Sequence, residues 1–240
     1  MIQIVNFSGG KDSTAMLHLM LERGEQIDDV VFFDGGWDWP QMYAHIDEVE
    51  RKTGIKISRI KPPKPFNYWF YEHEFNSKKR GHLTGYGWPV ASARWCTRQK
   101  INAVSNYLKG KYLFADVIQC VGFAVGEERR VERSKEKNHR YPLIEYNYDE
   151  RECKEYCYSL GYTFGGLYEY FNRVSCFCCP LQSKQELLMK KRHFPEVWEQ
   201  MLEMERKHAA IRAARGQQAP LLYKETESLL QIDAKLRGTD

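Results

Sequence analysis

The chain has 240 residues, a net charge of +4 and 42% hydrophobic residues, enough for one large domain, or a domain with an extension, around a sizeable core. No apolar run reaches the ~18 residues of a membrane span, and no basic and apolar leader opens the chain, so a cytoplasmic protein with no membrane role is expected. The small net charge singles out no class of partner, and seven cysteines point in a cytosolic chain to metal or redox chemistry before disulfides.

In chain order, IQIVNF (2–7) is a candidate buried strand, and 11–22 carries Ala15, Met16, Leu19 and Met20 at helical spacing. DDVVFFD (28–34) is a second strand. Pro40 suits a first helical turn, followed by Met42, Ile46 and Val49 at helical spacing. IKISRI (55–60) is a third strand. Residues 62–95 are aromatic and rich in proline and glycine, and are expected to form a long irregular loop. A helix is expected over 97–108, a fourth strand over 116–123 and a fifth over 141–146 (YPLIEY). Helices are then expected over 149–160, 183–192, 195–213 and 222–231. Strands alternating with helices imply an α/β fold with a parallel sheet. The expected division is 1–147 as the α/β domain and 148–240 as a helical C-terminal region.

The first strand runs into Ser8-Gly9-Gly10-Lys11-Asp12-Ser13 and then a helix. In an open parallel sheet, such a turn at the carboxyl end of a strand is a phosphate seat. Helix-start amides favour an anion. Two glycines allow close backbone approach and positive φ, Ser8 and Ser13 offer hydroxyls, and Lys11 adds a charge. Asp12 suits a helix N-cap or a magnesium-water ligand. The spacing fits neither the Walker pattern nor the dinucleotide G-x-G-x-x-G.

The SGGKDS turn resembles the PP-loop of the adenine nucleotide alpha-hydrolase superfamily, whose members bind ATP or an adenylyl-sulfate and act at the alpha-phosphate. FFDGGWDWPQMY (32–43), RWCTRQKI (94–101) and VGFAVGEERR (121–130) narrow the resemblance to phosphoadenosine phosphosulfate reductases, although Val125 stands near the position of their arginine. The resemblance implies a Rossmann-like, doubly wound parallel sheet of about five strands with a C-terminal helical extension. It implies that Ser8, Gly9, Gly10, Lys11, Asp12 and Ser13 hold phosphates, that Phe33 or Asp34 lies beside the adenosine, and that Gly122 lines the cleft. Arg98, Lys100, Arg129 and Arg130 would neutralise phosphate or sulfate, a task suited to guanidinium groups. Catalysis would rest on Lys11, Asp12, Arg98 and Lys100, with Mg2+ beside the nucleotide.

No cysteine follows Cys179, so the C-terminal nucleophile of the assimilatory reductases has no counterpart here unless Cys178 or Cys179 replaces it. In this the chain is more similar to the thiolation and DNA phosphorothioation sulfurtransferases of the same fold. The activity implied is ATP cleavage with release of pyrophosphate, used to activate or sulfurate a nucleic-acid or small-molecule acceptor. A sulfonucleotide reductase and a non-catalytic nucleotide-binding subunit are the rivals. A sulfur-donor protein and a homodimer are the possible protein partners.

Cys96, Cys176, Cys178 and Cys179 total four thiols, the number that a zinc ion or a 4Fe–4S cluster takes. The tight C-x-C-C spacing suits a cluster better than zinc, and free thiols are the third reading. Cys153 and Cys157, four apart, share a helix face and suit ordinary packing, and Cys120 sits in a core strand. The charged stretch 126–140 is either a solvated loop or a flap whose arginines meet phosphates. The aromatics of 62–95 are mostly anchors, with base stacking beside the basic SKKRGH (77–82) as the alternative.

Overall fold

The computed structural model describes the chain apart from residues 91–92, 114, 135–136, 175, 219–220, 225 and 237–240. Parts of the aromatic stretch (91–92), the charged stretch (135–136) and the expected helix 222–231 (225) therefore lie outside the described residues. In chain order the elements are β1 (Ile2–Phe7), α1 (Lys11–Glu22), β2 (Asp29–Phe33), α2 (Pro40–Thr53), β3 (Ile57–Ile60), α3 (Phe66–Tyr71), β4 (Glu74–Ser77) and β5 (Gly81–Thr84). There follow α4 (Trp95–Lys111), β6 (Val117–Val121), α5 (Glu128–Arg133), β7 (His139–Arg140), α6 (Pro142–Glu145), α7 (Glu150–Ser159), a 3-10 turn (Phe164–Glu169), α8 (Lys184–His193), α9 (Pro195–Ala213) and α10 (Leu229–Leu236).

The chain forms two compact units. The first contains Met1–Asp34, Asp38–Lys61 and Asn102–Ser175. Its sheet has the order β3-β2-β1-β6-β7 among the described residues, and every pairing is parallel. β1 is central, with Val5 opposite Val30 on one side and Cys120 on the other. A strand covered on both faces must be apolar along its length, and Ile4, Val5 and Phe7 are all buried. Alternate residues serve opposite faces. Val5, Phe7, Val30 and Phe32 pack with Met16 and Met20 of α1, Ile46 of α2 and Cys153 and Cys157 of α7. Ile4, Val31 and Ile60 pack instead with Ala103 and Leu108 of α4. Each Val, Leu, Ile, Phe or Met so buried contributes roughly 1.5–3 kcal/mol. Helices on both faces make the sheet doubly wound, as expected.

The strand expected at 141–146 is instead α6, and the fifth strand is the two-residue β7, paired with Gln119 and Cys120. Pro142 explains the difference: it has no N–H to give a ladder, and its fixed φ suits a first helical turn. Leu143 is buried, and a short apolar run does not by itself distinguish strand from helix.

The second unit contains Gly35–Trp37, Pro62–Ile101 and Cys176–Asp240. The stretch expected to be irregular holds α3 and the antiparallel hairpin β4–β5. Its rings build a core of their own: Trp37 packs edge-on against Phe66, Phe70 and Trp95 at centroid distances of 5.3, 5.5 and 5.7 Å. From α9, His208 and Arg212 bond the Thr84 carbonyl at 2.9 and 3.1 Å. The expected helix over 222–231 is found at Leu229–Leu236. Ser228 sets its start by a reciprocal cap, its Oγ accepting from Gln231 N at 3.1 Å and its N–H donating to Gln231 Oε1 at 2.9 Å. Among the described residues no helix is long and apolar enough to cross a membrane.

Candidate nucleotide site

The loop that leaves β1 is built from its own polar atoms. Gly9 takes φ +77°, and a Cβ there would lie 3.0 Å from Met42 Cε. The Ser8 N–H donates to Ser13 Oγ at 3.1 Å, the two serine hydroxyls lie 3.0 Å apart, and Ser13 Oγ donates to the Gly10 carbonyl at 3.1 Å. The hydroxyls thus brace the turn. Gly10 stands at the N-cap of α1 with no side-chain cap. Asp12 is therefore not the cap: it lies in the helix's first turn, and its carboxylate faces Lys11. Gly122, just beyond β6, closes the seat from the neighbouring strand. A Cβ on it would lie 3.3 Å from Ser13 N and 3.4 Å from the Asp12 carbonyl carbon.

Lys11 is only 5% exposed. Its ammonium bonds Asp12 Oδ1 at 2.7 Å and Glu150 Oε2 at 2.9 Å. Burial works against its charge, but the two carboxylates outweigh burial and raise its pKa. Burial lifts the Asp12 carboxyl, Lys11 opposes that, and the nearby Glu150 and Glu127 charges add to the rise. For Glu150, burial is outweighed by Lys11, with Arg173 and Arg130 assisting, and its pKa falls. Glu127 accepts from both Arg130 and Arg173, and the Arg130 guanidinium lies 4.1 Å from the Phe123 ring centroid. Arg129 stands exposed on α5.

Asp34 follows β2; its N–H donates to the Ile60 carbonyl at 2.9 Å and its Oδ1 accepts from Tyr43 at 2.7 Å. Phe33 packs on the second core. Arg98 and Lys100 lie exposed near the start of α4, in the second unit. Glu127, Glu150 and Arg173 are absent from the sequence reading, as is Tyr168, whose hydroxyl accepts from the Lys11 N–H at 2.8 Å. Glu150 meets Lys11 across 139 positions, and its local signal is only a helix start capped by Asp149.

The predicted metal ligands belong to the second unit. Cys96, Cys176 and Cys179 are partly exposed, Cys178 is buried, and none of the four is in a disulfide. The CFCCP turn is held through its backbone: Lys190 donates to the Phe177 carbonyl and to Gln182 Oε1, Lys224 to the Pro180 carbonyl, and Tyr223 to the Cys179 carbonyl at 2.9 Å. Burial pushes the Cys178 thiol well up, Lys190 opposes, and Cys179 and Cys96 add to the rise. Cys96 is raised by burial and further by Cys179. Three of the four thiols thus lie within electrostatic reach of one another. Among the described residues, however, no group of three or more side chains is arranged to hold a metal ion. Cys120, Cys153 and Cys157 are core residues, as expected, and the Cys157 thiol donates to the Lys11 carbonyl at 3.3 Å.

A glycine turn at the carboxyl end of the central strand, opening a helix and carrying a buried lysine, is the arrangement of an α/β protein of the PP-loop class. The chain belongs to the phosphoadenosine phosphosulfate reductase domain family, whose model matches residues 3–182. It is also similar to uncharacterized protein MJ0066 of Methanocaldococcus jannaschii, with 30% identity over 217 residues. The match covers 86% of this chain and 42% of that protein, so the chain spans less than half the length of this relative.

Proposed function

We propose that the chain binds ATP, or an adenylyl-sulfate, at the Ser8–Ser13 loop and acts at the alpha-phosphate. From ATP the acceptor displaces pyrophosphate, and from an adenylyl-sulfate it displaces sulfate; either way the adenylylated nucleic-acid or small-molecule acceptor is activated for sulfuration. The observation that carries this reading is Lys11: a buried ammonium in the first turn of α1, beside a glycine turn against which Gly122 presses. When phosphate enters, Lys11 exchanges Glu150 for a phosphate oxygen, and the helix-start amides share the charge that develops on the departing pyrophosphate. Arg130 and Arg129 serve the same anion. Arg98 and Lys100 are proposed for it on the resemblance alone.

Asp12 and Glu150 are oxygen donors of the kind Mg2+ takes, and the raised pKa of Asp12 fits a carboxylate that gains from a nearby cation. Mg2+ there would neutralise phosphate charge. Cys96, Cys176, Cys178 and Cys179 fit a 4Fe–4S cluster, or zinc, by donor chemistry and by sharing one unit. A bound metal would balance the thiolate charge and brace the α8–α10 region.

The test is turnover of ATP with Mg2+ and candidate acceptors, read as pyrophosphate, with AMP following when a sulfur donor or water displaces it from the acceptor. Lys11→Ala is expected to abolish it and to weaken ATP at least tenfold, the worth of one charge-assisted contact. Equal turnover in the variant would remove Lys11 from the mechanism. The interacting thiols favour a second reading, sulfonucleotide reduction, which sulfite release from an adenylyl-sulfate would single out.

A further inference from the structure

The segment between α7 and the CFCCP turn plays no part in the reading above, yet it reaches the loop through Tyr168 and Glu127 through Arg173. At its start Phe164, Gly165 and Gly166 take φ of +52°, +58° and +75°. Phe164 is not a glycine, and a bulky residue in this region persists only where its surroundings hold it there. They do: Phe164 is buried with its ring 4.3 Å from that of His45, and a Cβ on Gly165 would lie 2.6 Å from Gln41 Cγ. So curled, the segment carries Tyr168 to the loop, where its hydroxyl accepts from the Lys11 N–H at 2.8 Å. That amide is among the first of α1, which have no partner within the helix.

Five residues further on, Arg173 donates to Glu127 Oε1 at 3.1 Å, and Arg130 donates to the same oxygen. Glu127 is itself anchored, accepting from the Ala124 N–H at 3.3 Å, and its side chain is 12% exposed. The Arg173 side chain is 64% exposed. One fixed carboxylate therefore holds two guanidiniums, leaving an excess positive charge and further N–H donors directed to solvent. Both arginines also lie within electrostatic reach of Glu150, the partner of Lys11. Lys11, Arg130 and Arg173 form one group of cations, tied together by Glu150 and Glu127.

We propose that Arg173 is an anion-binding residue of the nucleotide site, paired with Arg130 on Glu127, and that this pair makes the site selective for a polyphosphate chain over a single phosphate. This rests on the nucleotide reading above for the location of the ligand. Planar guanidinium forks suit adjacent phosphate oxygens, and a second cation matters only to a ligand long enough to reach it. Tyr168 is a positioning residue that ties the segment to the loop.

The experiment is calorimetric titration of the full chain with ATP plus Mg2+, with AMP and with inorganic tripolyphosphate. It compares the parent chain with Arg173→Gln, Arg173→Lys and Arg130→Gln. Arg173→Gln is expected to weaken ATP and tripolyphosphate about tenfold, the effect of one charge-assisted contact. AMP should change less than about twofold, and the melting temperature should hold because the side chain is largely exposed. Arg173→Lys should recover part of the loss. Unchanged ATP affinity in Arg173→Gln, or an equal loss for AMP, overturns the proposal. If the parent chain binds tripolyphosphate in an Arg173-dependent way but no adenine nucleotide, the anion site stands and the nucleotide reading fails. If it binds neither, both fail.

Discussion

Lys11 is held by two carboxylates, and the phosphate proposed to enter there would share its ammonium with them or displace one. Lysine, a compact point charge with three donors, can exchange partners without rebuilding its surroundings. Asp29, at the start of β2, has the opposite character. It accepts from Ser58 at 2.9 Å, Tyr107 at 2.8 Å, Lys111 at 2.7 Å and Tyr112 at 3.0 Å, and its side chain is 4% exposed. Burial alone would raise its carboxyl, but these four donors outweigh burial and hold it below the usual 3.8. The unfolded chain therefore takes up this proton before the folded one does. The stabilisation is complete above the ordinary aspartate range and is lost as pH falls through 3.8 toward the lower folded value. Asp29→Asn should cost about 2 kcal/mol near neutral pH, with the gap to the parent narrowing as pH falls. Urea midpoints of both proteins, taken from about pH 7 to about pH 3, check this. A gap that stays constant would mean that the charge of Asp29 contributes nothing.

At the scale of elements, the junction of β1 and α1 sets the site, and β6 limits it through Gly122. The atoms nearest a Cβ on Gly122 belong to the Asp12–Ser13 backbone, which cannot turn aside as a side chain can. Gly122→Ala should push the start of α1 by a few tenths of an ångström. That weakens ATP several-fold while costing about 1 kcal/mol or less of stability. Nucleotide titration and a thermal melt check both parts; full affinity in this variant would show that the seat tolerates the shift. This limb of the site was legible because SGGKDS sits where a strand meets a helix. Two of the departures from the expected elements, at 141–146 and 222–231, have local causes. Pro142 makes an apolar run helical, and Ser228 with Gln231 delays a helix start by several residues.

At the scale of the molecule, eighty positions separate Cys96 from Cys176, yet both lie in the second unit, whose core comes from segments far apart in the chain. The four thiols are expected to share one metal. Serine at Cys96, Cys176, Cys178 or Cys179 should lower the iron or zinc content of anaerobically purified protein, and its melting temperature with it. Serine at Cys120, Cys153 or Cys157 should leave the metal in place. Elemental analysis of the seven variants decides, and metal retained by all four of the first group would end the shared-centre idea.

The amino-acid order by itself determined the α/β sheet, the glycine turn between β1 and α1 and the core roles of Cys120, Cys153 and Cys157. These depend on local periodicity and on a turn whose chemistry is complete within six residues. Only the tertiary structure decided that Glu150 holds Lys11, that Glu127 gathers Arg130 and Arg173, and that the aromatic stretch folds with the C-terminal helices. Each of these is a contact between segments distant in sequence, made by a side chain whose local context specifies only a helix start, a charged turn or a loop. Such pairings arise from the packing of whole elements, and a single sequence carries no local mark of them.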